Sequence, residues 1–475
     1  MRKKYYLFLF LLIVVLGIFL RFYRMNDLAV FSADQASDSQ KVLDMLRGKF
    51  TLLGPITSVG GFYNGPIVYY LMYPFYFFFK GDPIAGTVFQ STLSILTIPL
   101  LYLIGKKLKN EKAGVLAGFL FAISPLIIDY ARATFNAYPA IFFSTLIIYL
   151  FLLVIEHYNG LMALSLGVMI GWIVQMHYFA LVFLLLVFLY PLFFKKNRLP
   201  FSYYIFISLG FLLGIAPFLL FELRHQFLNT QLFLKYLTIK KPEKINPIYN
   251  TLYIWPYVTG WLLFGKQFIP GLIGFGAMAL STIILFIKKR VTRLSVFIVL
   301  FILVFLTGFV YGRIMHDHYL ISFHTSLILL FAFMIVYLFK EKNILIIISC
   351  LILVIINFSS WNLTKEKHPL QSGLNMKDFK TAALIINRDK REGYNVAMHA
   401  QGDNRAMPLR YMLSLIGEQP LDYEHYGEAQ CLYFILPKKE KVEEQTMWEY
   451  KSFGSSEIIN KWEITKDYLM YKLVK

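Results

Sequence analysis

The sequence predicts a mainly α, polytopic membrane protein with a small C-terminal α/β domain, and three observations carry that expectation. Of 475 residues, 57% are hydrophobic and only 16% charged, with a mean hydropathy of +0.57, more apolar surface than a soluble core of this length buries. The apolar residues gather in about eleven runs, near the roughly 20-residue length that crosses the hydrocarbon of a bilayer. Lys and Arg clusters sit between those runs as membrane orientation requires, which accounts for the net charge of +19 without a nucleic-acid partner.

The MRKK start is followed by apolar Tyr5 to Leu20 with no small-residue cleavage site, so this run reads as a retained first helix. Further crossings are expected near 84–105, 113–128, 137–155, 161–176, 179–194, 201–221, 271–287, 294–311, 319–339 and 343–359. With these spans the clusters Arg2 to Lys4, Lys106 to Lys112, Lys195 to Arg198, Lys288 to Arg293 and Lys340 to Lys342 fall on one side, read as cytoplasmic along with the N-terminus. The opposite, extracytoplasmic side receives a long first loop, 23–83, and everything after Ser359. Val68 to Phe79 is short for a span and is bracketed by Pro66 and Asp82, with Pro74 inside it. A helix lying in the outer interface is expected there, and residues 251–264 read the same way. The transmembrane domain is then 1–359 and the outer α/β domain 360–475. In the latter, Lys377 to Asn387 and Met407 to Ile416 read as helices, and Tyr394 to His399, Cys431 to Leu436 and the last dozen residues as strands. AQGDNRA, between two of these, is a loop too poor in glycine to cradle phosphate. Cys350 and Cys431 make neither a disulfide framework nor a metal pattern.

Ionisable groups close to a bilayer are costly unless paired or solvated, so several at one depth mark a candidate site. On the outer side these are Asp34, Asp38, Asp129 with Arg132, His177, Glu222 with Arg224 and His225, and Arg313 with His316 and His318. Asp34 and Asp38 share a face if Ser32 caps a short helix there. Each of the others has a plain alternative: Arg132 pairs with Asp129 or Asp34, Arg224 pairs with Glu222, and His318 snorkels at the start of a span. GGFYNGP offers Tyr63 and Asn64 to sugar hydroxyls and ring faces or makes a plain turn, and Asn136 either does the same or caps a helix. His316, Asp317 and His318 are too close in sequence to claim a zinc site.

The stretch SADQASDSQKVLDMLRGKFTLLGPITSVGGFYNGPIVYYLMYPFY, with LIGKKLKNEKAG after it, resembles the first outer loop of GT-C type glycosyltransferases. The resemblance is to the family 39-like, dolichyl-phosphate-mannose protein mannosyltransferase and aminoarabinose transferase-related enzymes. SPLIIDYARATFNAYPAIFF, QMHYFAL, PFLLFELRHQFLNT and DHYLISFHTSLILL resemble later segments of that family in the same order, over roughly the first 340 residues. The resemblance implies a GT-C fold in the inner (plasma) membrane and transfer of a sugar, with inversion, from a polyprenyl-phosphate donor to a hydroxyl acceptor: a glycan, lipid or protein. It implies Asp34 as base. Gln35 stands where the family usually has Glu, which makes Asp38 the candidate second acid and leaves a divalent cation as a possibility only. The departing phosphate calls for cations or imidazoles, and Arg132, Arg224, His225, Arg313, His316, His318 and His177 are the candidates. The alternative is a lipid-linked glycan flippase or transporter, which calls for charges in mid-span.

Overall fold

The structure, a computed structural model, describes residues 2–57, 60–193, 199–238, 246–287, 295–311, 315–368, 370–371, 373–389, 392–400 and 402–475. The expected clusters Lys195 to Arg198 and Lys288 to Arg293 lie outside the described residues, and so does Arg313.

The first half runs α1 (Arg2–Phe22), α2 (Met25–Leu28), α3 (Ala33–Leu46), α4 (Ile67–Phe78), α5 (Ile84–Leu108), α6 (Glu111–Ile123), α7 (Pro125–Ala131), α8 (Ala140–Glu156) and α9 (Gly160–Met176). It continues with α10 (Leu181–Phe193), α11 (Phe201–Gly214), α12 (Ala216–Arg224), α13 (Leu228–Thr238), α14 (Pro247–Leu263), α15 (Phe268–Ile287), α16 (Ser295–Tyr311), α17 (His324–Leu338) and α18 (Asn343–Phe358). Every expected crossing therefore falls on helix. Among the described residues, however, only four helices are long and apolar enough to cross a membrane by themselves, rising to seven if each of three bent pairs is one span. The bends have local causes. Pro125 opens α7 after Ser124 leaves helical geometry, and α6 and α7 meet at 61°. Pro217 starts α12, and α11 and α12 meet at 68°. The expected interfacial run 251–264 is part of α14, which turns by 104° into α15. Helix α4, twelve residues, is about 18 Å long, well short of the hydrocarbon thickness.

Helices α9 and α11 cross so closely because each carries glycines four apart, Gly167 and Gly171 against Gly210 and Gly214. A Cβ on Gly167 would lie 2.2 Å from the Ile207 carbonyl oxygen. The contact sets the end of α9: Gln175 donates to the Gly214 carbonyl at 2.7 Å, and its own carbonyl accepts from the Gly65 amide at 3.1 Å, tying the first loop to the helix end that precedes His177.

The C-terminal domain has α19 (Met376–Asp389), β1 (Tyr394–Met398), α20 (Met407–Leu415), β2 (Cys431–Pro437), α21 (Trp448–Phe453), β3 (Glu457–Thr465) and β4 (Tyr468–Val474). The sheet order is β1-β2-β4-β3, with β1 parallel to β2 and the remaining pairs antiparallel. Strand β3, which the sequence reading left out, is an edge strand with most of its residues exposed, so it lacks the buried alternation that would announce it. The domain is docked on the first loop: Tyr411 in α20 donates to the Gly81 carbonyl, Gln371 exchanges hydrogen bonds with the backbone of Phe31, and the Phe31 and Tyr411 rings meet edge to face.

Candidate active site

Helix α3 begins where Ser32, in extended conformation, closes a capping box with Gln35. The Ser32 amide donates to Gln35 Oε1 at 3.1 Å, and Gln35 Nε2 donates to the Thr134 carbonyl at 2.8 Å. Gln35 thus does two jobs at once, and the second needs an N–H that a glutamate lacks. The expected departure from an acidic pair is here a structural tether between α3 and the second loop, residues 132–139 between α7 and α8.

Asp34 and Asp38 have different surroundings despite their spacing. Asp34, in the first turn, is exposed and makes no hydrogen bond. Asp38 is 7% exposed beneath α4 and accepts from the Tyr69 hydroxyl at 2.8 Å. Burial pushes its carboxyl up to about 7, the Tyr69 hydrogen bond works against this, and the charge of Asp34 adds to it. Burial under the aromatic α4 therefore acts on Asp38 and not on Asp34. Tyr76, further along α4, shares a hydrogen bond of 2.6 Å with Ser39 and holds the second turn of α3 in place.

The second loop is the hub that sequence reading missed. Val30 bridges Ala133, the Thr134 carbonyl takes Gln35, the Phe135 ring meets His318 edge to face at 5.8 Å, and Asn136 Nδ2 donates to the Met176 carbonyl at 3.1 Å. Three consecutive residues thereby gather the start of α3, the His318 segment and the end of α9. Asn136 spends its amide on that backbone, so its role is support. His177 follows Met176, and its ring lies 5.9 Å from His318 and 5.4 Å from Tyr319, while His316 stacks on His318 at 5.5 Å. His177 and His318, 141 positions apart in the chain, are thus brought into ring contact. The His318 segment is anchored by Tyr130, whose hydroxyl donates to Asp317 at 2.5 Å.

Arg132 requires a correction. It is fully buried and donates to the carbonyls of Trp361 at 2.9 Å and Leu20 at 2.8 Å, so its guanidinium ties three segments of backbone together and pairs with neither Asp129 nor Asp34. Asp129 instead holds His368, at 3.0 Å, and Lys266. Glu222 is not the partner of Arg224. It is buried and accepts from the amides of Asn229 and Thr230, capping the start of α13. Arg224 and His225 are both exposed at the end of α12, with His225 stacked on Phe221 at 4.2 Å. Tyr63 is clamped by its backbone, its amide donating to Asn229 Oδ1 and its carbonyl accepting from Tyr178, which leaves its phenol free. Asn64 is buried with no hydrogen bond to its side-chain amide.

The groups present do not suit a divalent cation. Among the described residues no three His, Cys, Asp or Glu side chains are placed to hold one, Gln35 Oε1 is engaged in the cap, and Asp38 is covered by Tyr69.

Residues 64–221 match the family model described as dolichyl-phosphate-mannose-protein mannosyltransferase. The crystal structure of ArnT from Cupriavidus metallidurans bound to undecaprenyl phosphate superposes with a TM-score of 0.66 at 11% identity, covering 98% of this chain and 97% of that one. The Archaeoglobus fulgidus oligosaccharyltransferase in complex with Zn and sulfate superposes with a TM-score of 0.57 at 11% identity, covering 90% of this chain and 68% of that one. AglB from the same organism, in complex with an inhibitory peptide and a dolichol-phosphate, has a TM-score of 0.54 at 10% identity, covering 95% and 71%. No curated protein matches the chain. The fold expected from that resemblance is the one observed: the chain shares the GT-C fold of ArnT and is a multi-pass membrane protein with several candidate spans.

Proposed function

We propose that this GT-C protein is an inverting glycosyltransferase that moves a sugar from a polyprenyl-phosphate donor to a hydroxyl on the extracytoplasmic side of the membrane, with the eleven helical segments as crossings. The observation that carries the reading is Asp34: a carboxylate with no hydrogen bond, fixed by the capping box at the start of α3 and tied through Thr134 to the loop that also holds His318.

The reaction follows from these groups. Asp34 accepts the proton of the acceptor hydroxyl as that oxygen bonds to the anomeric carbon. The bond from that carbon to the phosphate oxygen breaks on the opposite face, and its electron pair leaves with the phosphate. His318, His316 and His177 donate hydrogen bonds to the departing phosphate, with Arg224 and His225, exposed at the end of α12, as further donors. One base suffices, because inversion forms no covalent sugar–enzyme intermediate. Asp38 is buried and engaged by Tyr69, which leaves the exposed Asp34 as the member of the pair open to the acceptor. The lipid tail has a groove of about 280 Å³ walled by Phe275, Met278, Phe297, Phe301 and Leu327. Leu327 lies on α17, nine positions after His318 in the chain.

The test is transfer by the full chain in lipid nanodiscs supplied with polyprenyl-phosphate sugars and mixed glycan, lipid and peptide acceptors. Formation of a glycosylated product with release of polyprenyl phosphate, unchanged by a chelator, is the expected result. A folded chain that turns over no donor, or that moves the intact lipid-linked sugar across a vesicle membrane instead, overturns the reading.

A further inference from the structure

A second cleft, of about 480 Å³, opens between the start of α3 and the C-terminal domain, within the range of roughly 300–1,000 Å³ usual for small-molecule sites. Its walls include Ala33 and Ser37 from α3, and Asn404, Arg405, Tyr423 and Glu449 from the domain. Ala33 and Ser37, four apart on one face of α3, belong to the same first turns as Asp34, which is next to Ala33 in the chain though not itself in the wall of the cleft.

Most polar side chains of this cleft make no hydrogen bond, although Asp403, also in its wall, is bonded to backbone amides. Glu449 is 7% exposed and has no hydrogen bond or ion pair, so its carboxylate keeps its accepting capacity for a ligand. The Arg405 guanidinium lies over the Tyr423 ring at 4.7 Å and makes no hydrogen bond, and the Ser37 hydroxyl and Asn404 amide make none either. The wall that presents them is rigid. Asp403 accepts from the amides of Arg405 at 3.0 Å and Met407 at 2.7 Å, and Arg410 binds the Arg405 carbonyl, the Leu421 carbonyl and Asn395. A fixed loop with unspent donors and acceptors matches a ligand whose own groups both donate and accept. Vicinal hydroxyls on a sugar ring meet that requirement: a carboxylate accepts from two of them, while guanidinium, amide and hydroxyl engage the others. The mostly polar walls offer no pocket for an acyl chain or an apolar peptide anchor.

We infer that this cleft is the acceptor site, that the acceptor is a saccharide, and that Glu449, Arg405, Asn404 and Ser37 hold its ring so that one hydroxyl faces Asp34. The inference rests on the glycosyl-transfer reading for its direction, but the binding itself is testable alone. The full chain in nanodiscs is applied to an array of immobilised mono- and oligosaccharides beside immobilised peptides and diacyl lipids. Saccharide spots retain the wild type and Asp34→Asn, and retention falls at least tenfold for Glu449→Gln and for Arg405→Ala, the latter an exposed position whose truncation leaves the fold intact. In the transfer assay the same two variants raise the acceptor concentration at half-maximal rate about tenfold and leave that of the donor within about twofold. Retention on peptides or lipids alone, or saccharide retention indifferent to both substitutions, overturns the inference. Cleft-dependent saccharide binding in a chain that transfers nothing upholds the site and rejects the glycosyl-transfer reading instead.

Discussion

The second loop and the start of α3 treat their charged side chains in opposite ways. Around the second loop, Arg132 and Asp129 are buried and turned to the fold, Arg132 donating through Nη1 and Nη2 to Trp361 and Leu20 although its Nε has no partner, and Asp129 bonded to His368 and Lys266. At the start of α3, Asp34 is exposed and spends nothing, and across the cleft Glu449 and Arg405 likewise hold unspent capacity. A charge already satisfied by the fold has little left for a ligand, whereas one held in place but unpaired is available for chemistry. Residue type and sequence position do not separate the two cases; the partners do.

Substitutions sharpen that contrast. The largest effect is expected at Asp34: Asp34→Asn lowers the transfer rate by about 10³-fold, within the range general bases contribute, and leaves thermal unfolding unchanged because the side chain supports nothing. Arg132→Met has the reverse profile. Two buried carbonyls lose their donors, at a cost of about 2–5 kcal/mol, and the melting temperature in detergent falls by several degrees, whereas Arg224→Ala at an exposed position barely moves it. Equal melting temperatures for those two would erase the distinction between spent and unspent charges.

Asp38 supplies a pH signature. The unfolded chain releases this proton near pH 4, while the fold keeps it until about 7, so the native state binds more protons between those values and stability declines as pH rises from about 4 to 7, then levels off. Asp38→Asn flattens that decline, by ~4 kcal/mol at most, as read from denaturation midpoints across the pH range. The smallest change is expected from Gln35→Glu, which keeps the cap acceptor but loses the donor to Thr134, costing about 1–2 kcal/mol and slowing transfer severalfold by loosening Asp34. A gain in transfer would mean that the acidic residue usual at this position matters more than the tether.

Much of the fold was legible because apolar run length and turn residues are local signals. The expected segments fall on helices, Ser32 caps α3, and the five C-terminal elements expected lie within a few residues of α19, β1, α20, β2 and β4, with α21 and β3 unread. The glycine contact of α9 with α11 depends on pairing between distant helices and was not, and the prolines that open α7 and α12 lie inside single apolar runs, where run length alone does not announce a bend. At the site, Asp34, His177 and His318 carried chemical expectations that the geometry accommodates. Arg132 misled because an arginine after a span looks the same whether it meets a phosphate or two carbonyls. Thr134 and Phe135 gave no signal at all, since a backbone carbonyl and a phenyl ring become a hub only when three segments converge. The cleft facing Glu449 was hidden for the same reason: its two walls are about 400 residues apart in the chain.

The central claim is that one unpartnered carboxylate serves a direct displacement. The anomeric configuration of the transferred sugar, read by NMR on the product of the wild-type chain, tests it most directly. Inversion relative to the polyprenyl-phosphate donor is the predicted result. Retention would require a second carboxylate acting as nucleophile, a role that Asp38 under Tyr69 is not placed to fill, and would contradict the account.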